Sequence, residues 1–207
     1  SAIVKETNLF MRHDKELLAL PPLPLYILNN GVHLALSRGI ELIVVPQVDY
    51  DNISIYFKKY KLNHLKGIPF IIEKIEHDKG FDDVDLKDFK FLISGGGKLL
   101  NEKEINIFLK KHNCKYSIAN GYGMSEVGTC MFDNTEEINT VGRPLIGYDA
   151  KIMSLDGKEE LKYTENNVGE IWLTGPGVMQ KYYKNDEETK EIMQVDGNVR
   201  WVKTGDL

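Results

Sequence analysis

Several things are scarce in this sequence of 207 residues. It has two cysteines, Cys114 and Cys130, at no metal-like spacing. Neither a disulfide framework nor a thiolate zinc site is expected, and the setting that fits is a reducing, cytoplasmic one. The five histidines, His13, His33, His64, His77 and His112, are scattered, and none forms the close pair of a zinc helix. Positive charge is not in surplus: the net charge is -5. That argues against a broad footprint for nucleic acid, although a local basic patch stays open. No apolar run approaches the roughly 20 residues that span a bilayer. No basic stretch leads into a long apolar core at the start, so no signal peptide is read there. There is no internal repeat and no low-complexity tract. What is present is ordinary for a soluble globular protein, 42% hydrophobic and 28% charged, with length for one large domain or two small ones.

Read in order, residues 3–14 give no clear pattern. Leu17-Leu18-Ala19-Leu20 is a short apolar run stopped by Pro21-Pro22, which predicts a buried strand. Leu25 to Leu36 carries apolar residues on one helical face, with Gly39 as its stop. Leu42-Ile43-Val44-Val45 reads as a core strand, and Asp51 as the N-cap of a helix bearing Ile53, Tyr56, Phe57 and Tyr60. Leu62 to Lys66 is a weak strand, and Pro69 suits the first turn of the next helix. Lys79 to Lys90 is polar and acidic and reads as a surface connection. Phe91-Leu92-Ile93 is a strand running into Ser94-Gly95-Gly96-Gly97. Asn101 with Glu104 has the form of a capping box before a helix with Ile105, Phe108, Leu109 and His112 on one face. Tyr116 to Ala119 is the next strand.

Strands alternating with helices predict an α/β fold: a mostly parallel sheet flanked by helices. The pattern changes near Thr140. Short strands follow at Ala150 to Ser154, Glu170 to Thr174 and Val199 to Lys203, with hairpin signals at Asp156-Gly157 and Asp196-Gly197. One helix interrupts them, from Asn185 as cap to Met193. The expectation is two subdomains, residues 1–139 and a small, incomplete β-barrel over residues 140–207.

Chemistry gathers in Asn120-Gly121-Tyr122-Gly123-Met124-Ser125-Glu126. A strand ending in Asn120-Gly121 leaves free backbone groups at a sheet edge, where the rim of a flat ring can bond. Tyr122 can stack on such a ring, a contact worth roughly 1–3 kcal/mol. Ser125 can donate to a phosphate oxygen, and Glu126 can hold Mg²⁺. The plainer reading is a glycine turn with a core tyrosine and a Ser/Glu capping pair. Gly95-Gly96-Gly97 likewise either reverses the chain or lets a ligand approach, with the next helix N-terminus favouring an anion. It is not the Walker loop, because no Gly-Lys-Ser/Thr follows. Neither glycine cluster has the Gly-x-Gly-x-x-Gly spacing of dinucleotide folds. Asp206 is either a solvated turn carboxylate or a partner for vicinal hydroxyls.

Together these stretches resemble the adenylate-forming, AMP-binding superfamily. Ser94-Gly95-Gly96-Gly97-Lys98-Leu99 is similar to its Ser-Gly-Gly-Ala-Pro-Leu, and Asn120 to Glu126 to its Asn/Gln-Gly-Tyr-Gly-Met-Thr-Glu. Val141-Gly142-Arg143-Pro144-Leu145-Ile146-Gly147 is similar to Val-Gly-Lys/Arg-Pro-x-Pro-Gly. Gly169 to Pro176 resembles Gly-Glu-Ile-x-x-x-Gly-Pro, and Trp201 to Leu207 resembles Trp-x-x-Thr-Gly-Asp-Leu. These motifs run in family order, and the branch they most resemble is the fatty-acyl-CoA synthetases. The resemblance implies that Gly95, Gly96 and Gly97 line the adenylate and acyl pocket. It implies that Asn120 and Gly121 meet the adenine edge and that Tyr122 stacks on its face. Ser125 would contact phosphate, Glu126 would hold Mg²⁺, and Asp206 would bind the ribose. The implied reaction couples a carboxylic acid, ATP and CoA through an acyl-adenylate.

Departures qualify that picture. The family's phosphate loop ending in Pro-Lys is not matched and is expected ahead of residue 1. The hinge and small C-terminal domain with its catalytic lysine are expected beyond Leu207, so this stretch alone is expected to be inactive. Lys98 replaces a usual proline, Ser125 a usual threonine, and Lys181 the usual glycine before Tyr182. The alternatives are an adenylation domain that loads a carrier protein or forms an aryl-CoA, and a non-catalytic nucleotide-binding scaffold. Acyl chain length and oligomeric state are not legible in the sequence.

Overall fold

A computed structural model describes residues 10–133, 137–162, 164 and 167–207; most of the unread opening lies outside them. Two sheets form. The first has seven strands in the order β2-β1-β3-β4-β5-β6-β7. These are β1 Lys15–Leu17, β2 Glu41–Ile43, β3 His64–Gly67, β4 Phe91–Gly95, β5 Ala119–Met124, β6 Gly128–Asp133 and β7 Arg143–Pro144. From β2 to β5 every pairing is parallel; β6 and β7 add antiparallel edges. The second sheet is antiparallel and open, in the order β11-β12-β10-β8-β9. Its strands are β8 Asp149–Met153, β9 Glu160–Leu161, β10 Glu170–Thr174, β11 Met193–Asp196 and β12 Val199–Lys203.

The central parallel strands β3 and β4 are short and buried along their whole lengths, as a parallel sheet covered on both faces requires, although β3 carries His64 and Lys66 as well as apolar residues. In β4 the side chains alternate between two cores. Leu92 joins the cluster with Ile71, Ile72, Ile105 and Leu109. Phe91 and Ile93 join Leu34, Ala35 and Phe132 on the other side. The first face is covered by α2 Ser54–Tyr60, α3 Pro69–His77 and α4 Glu102–Lys111. The second is covered by α1, residues 25–38, in which Leu25–Ile27 and Leu34–Arg38 flank a π-helical turn at Leu28–His33. Asn29, Asn30 and Gly31 are weak helix formers, which eases that widened turn. Asn30 is buried there and donates to Thr129 Oγ1 at 2.6 Å. Gly39 ends α1 with a φ of 66°, as expected of a left-handed cap.

Several local expectations change. Asp51 does not cap α2; the distant Asp78 carboxylate accepts from Ser54 N–H at 2.7 Å instead. The Asn101–Glu104 box does not form, and Asn101 Nδ2 donates to Glu76 Oε2 at 2.5 Å. Residues 79–90 are not a surface connection: Phe81, Leu86 and Phe89 are buried in the larger core. The strand expected at Tyr116 to Ala119 starts only at Ala119, and it contains the tyrosine-glycine motif. Asn185 does cap a helix, α5 Asp186–Ile192, by accepting from Glu188 N–H at 3.2 Å.

Candidate active site

Two glycine-bearing strand ends meet at the carboxyl edge of the parallel sheet. β4 and β5 pair in register, Ser94 with Asn120 and Gly95 with Gly121. Gly95 lies under the Tyr26 ring: a Cβ there would sit 3.0 Å from Tyr26 Cζ, so a side chain would displace the ring. Gly96 takes a φ of 76° and turns the chain away, leaving Gly96 and Gly97 exposed. The helix after this cluster starts only at Glu102 and carries Glu102 and Glu104 in its first turn. Those carboxylates already occupy the positive end of its dipole, so the expected anion site at that N-terminus is not supported.

The central motif is a strand and a hairpin tip rather than a glycine turn with a Ser/Glu capping pair. Asn120 Nδ2 donates to Thr140 O at 3.2 Å, which fixes its amide at the edge of β5. A register irregularity falls between Tyr122 and Gly123. Gly123 is required by packing, because a Cβ would lie 2.2 Å from Gly128 O. The strand then turns over Ser125 and Glu126, with Val127 N–H donating to Met124 O at 3.1 Å. Gly128 follows with a φ of 80°, the positive φ that a short hairpin loop of this kind needs. Ser125 is exposed and Glu126 half-buried at this tip.

The second sheet supplies two contacts to this motif. Tyr122 Oη donates to Asp206 Oδ2 at 2.5 Å. Burial and then the Asp206 carboxylate push the Tyr122 phenol far up, so it stays a donor. Asp206 is placed by its own neighbours. Thr204 Oγ1 donates to Ile171 O at 2.7 Å, Gly205 N–H to Glu170 Oε1 at 2.8 Å, and Ile171 N–H to Asp206 O at 2.9 Å. At the hairpin tip, Tyr182 Oη donates to Glu126 Oε1 at 2.7 Å, and Met179 N–H donates to Glu126 O at 2.8 Å. The Glu126 bond, more than burial, pushes the Tyr182 phenol up to about 12. Sequence reading named Glu126 but missed Tyr182 as its partner; the two lie 56 residues apart, and no spacing rule links them.

The structure therefore brings Gly95, Asn120, Gly121, Tyr122 and Asp206 to one edge, with Ser125 and Glu126 at the tip beyond. Among the described residues, no three His, Cys, Asp or Glu side chains converge as a metal cage. A single carboxylate fits Mg²⁺ nonetheless, since that ion keeps water and substrate phosphates as most of its ligands. Glu126 is the residue that would hold it.

Glycine turns at the carboxyl ends of parallel strands are where α/β enzymes take nucleotides. The chain belongs to the AMP-binding enzyme family, which matches residues 2–183. It is 28% identical to a long-chain-fatty-acid–CoA ligase of Haemophilus influenzae, over 95% of this chain and 34% of that one. It is 28% identical to a probable 4-coumarate–CoA ligase of Dictyostelium discoideum, over 98% of this chain and 36% of that one. Its fold matches a long-chain-fatty-acid-CoA ligase from Archaeoglobus fulgidus with a TM-score of 0.83 at 19% identity, covering 99% of this chain and 43% of the other. It matches the adenylation domain of a keto acid-selecting NRPS module with a TM-score of 0.81 at 21% identity, covering 99% and 43%. The chain thus spans about a third of the length of the curated relatives it matches. No helix among the described residues is long and apolar enough to cross a membrane.

Proposed function

We propose that this chain is the nucleotide-handling middle of an AMP-forming acyl-CoA synthetase. The whole protein would activate a carboxylic acid, of the fatty type, as an acyl-adenylate and pass the acyl group to CoA in the cytoplasm. The observation that carries this reading is the Tyr122–Asp206 hydrogen bond across 84 residues, made beside the paired glycines Gly95 and Gly121. It puts an aromatic face, an amide edge and a carboxylate at one sheet edge. These three kinds of group suit a purine ring and a ribose.

In this reading Asn120 and Gly121 bond the adenine edge and Tyr122 stacks on its face. Asp206 meets the ribose hydroxyls and is held in place by the Thr204 and Glu170 contacts. Ser125, exposed on the hairpin tip, donates to a phosphate oxygen. Glu126 holds Mg²⁺, which when bound neutralises charge on the phosphates as the acid's carboxylate attacks. Tyr182 fixes one oxygen of Glu126, so that the other keeps a defined direction. The work of these groups is positioning and charge stabilisation rather than covalent catalysis.

The test is acid-dependent ATP–pyrophosphate exchange by the full reading frame around this chain, with short, medium, long and aryl acids. Exchange with a fatty acid supports the reading and gives the chain length. Exchange with aryl acids alone moves the assignment to aryl-CoA formation. A folded protein that exchanges with no acid in the presence of Mg²⁺ refutes it and favours a non-catalytic scaffold.

A further inference from the structure

The amino-terminal end of the first sheet carries a second concavity, about 510 Å³ in volume. Four strand starts meet there. Lys15 opens β1, Asn63 precedes β3, Lys90 precedes β4, and Tyr116 lies ahead of β5. Asn63 ties them together. Its N–H donates to Lys15 O at 2.8 Å and its side-chain oxygen accepts from Lys15 N–H at 2.9 Å. Its amide donates to Asp88 O at 2.9 Å, and its carbonyl accepts from Lys90 N–H at 2.8 Å. The floor of the pocket is therefore fixed by a hydrogen-bond network around the half-buried Asn63 rather than by loose loops.

Its charge is opposite to that of the chain. Five lysines, Lys15, Lys61, Lys87, Lys90 and Lys115, line it against one carboxylate, Asp88. The chain as a whole carries a net charge of -5. Lys90 is paired with Asp14 at 2.7 Å, and Lys87 lies 3.8 Å from Asp85. Lys15, Lys61 and Lys115 make no ion pair among the described residues. Like charges held around one hollow repel, and an anion between them removes that cost. Lys61 adds a second observation. It ends α2 with a φ of 54°, a left-handed conformation that glycine adopts at less cost. Strain of this kind gathers at ligand sites. Tyr116, 42% exposed, adds an aromatic ring to the lining.

We propose that this pocket binds a small polyanion, a di- or triphosphate group that is either free or carried by a nucleotide. Its volume suits a small molecule. It is distinct from the candidate active site, because the five-residue strand β4 separates the two by about 17 Å. The proposal does not depend on the acyl-CoA synthetase reading.

The test is calorimetric titration of the full-length protein with inorganic triphosphate and, separately, with ATP, both without Mg²⁺. Triphosphate should bind, and Lys61→Gln with Lys115→Gln should weaken it about tenfold. Salt at about 1 M, where screening acts within about 3 Å, should abolish it. Lys15→Gln alone gives a second, smaller probe should the double variant not fold. If Tyr116→Ala weakens ATP but not triphosphate, the ligand is a nucleotide; if it weakens neither, a free polyphosphate. Equal triphosphate binding by the wild type and a folded double variant overturns the proposal, as does no binding by the wild type up to millimolar concentration.

Discussion

The two sheets build the candidate site in different ways. The first supplies groups that are neighbours in sequence, Gly95 to Gly97 and Asn120 to Glu126. The second supplies single side chains from far along the chain, Tyr182 to Glu126 and Asp206 to Tyr122. Their interiors differ as well. The first sheet buries Asp14, Glu16, His64 and Lys66, with Glu16 bonded to Lys66 and His64 bonded to Asp14 at 2.8 Å. The core between the sheets is Val127, Cys130, Met131, Leu173, Val178 and Val202. Buried ion pairs add little net stability over apolar packing, yet breaking one costs several kcal/mol, about 3–5. The first sheet should therefore answer to pH, and the junction with the second to shape.

The largest effect expected concerns chemistry alone. Glu126→Gln in the full enzyme should lower ATP–pyrophosphate exchange by about a hundred- to a thousand-fold, with the melting temperature unchanged. Exchange at the wild-type rate would remove Glu126 from the metal site. Next comes acid. Burial holds the His64 imidazole down at about 4, against the pull of Asp14. Below the ordinary value of about 6.5 the unfolded chain gains a proton that the folded chain refuses. Stability should fall as the pH drops from about 6.5 towards 4, by about 3 kcal/mol at the acid end. Asp14 acts in the same direction at lower pH: burial raises it, but its bonds to Lys90 and His64 hold it below the usual carboxylate value. Urea midpoints that stay level between pH 7 and 4.5 would contradict this. A smaller loss, about 1–3 kcal/mol, is expected from Gly177→Ala, whose Cβ would lie 2.2 Å from Val127 O. It should part the sheets and lower exchange as well as stability; an unchanged urea midpoint would mean the junction yields without cost.

What was legible in the sequence follows the same division. Glu170 to Thr174 and Val199 to Lys203 fold over the spans expected of them, because two-residue alternation and a hairpin signal act locally. Pro69 and Gly39 likewise mark helix ends by their own backbone preferences. The cap at Asp51 failed because the Asp78 carboxylate takes the Ser54 N–H, and the cap at Asn101 failed because its amide is turned to the Glu76 carboxylate, a contact that sequence spacing does not show. The glycine-rich motif was read as following a strand, since glycine disfavours strands. Pairing with β4 on one side and β6 on the other makes it one all the same. The motif residues themselves were legible; their partners across the sheet junction were not, because periodicity carries no information over such separations.

Tyr182 gives the sharpest test of that junction. Its hydroxyl is the one side-chain bond from the second sheet's segment to Glu126 among the described residues. Tyr182→Phe removes a single oxygen and leaves the ring, the Met179 N–H to Glu126 O bond and the surrounding packing in place. A merely structural tyrosine would then change little beyond stability. A tyrosine that orients the carboxylate would change how Glu126 meets its cation. The expected result is a several-fold rise, about threefold to tenfold, in the Mg²⁺ concentration needed for half-maximal exchange, as for one lost bond to a charged group. The melting temperature and the KM for the acid should stay near wild type. Because the phenol is pushed up to about 12, the effect should be constant across neutral pH and fade only as the bond is lost in strong alkali. An unchanged Mg²⁺ requirement in Tyr182→Phe would mean that Glu126 is held by the first sheet alone, and the division of labour between the sheets would end at Asp206.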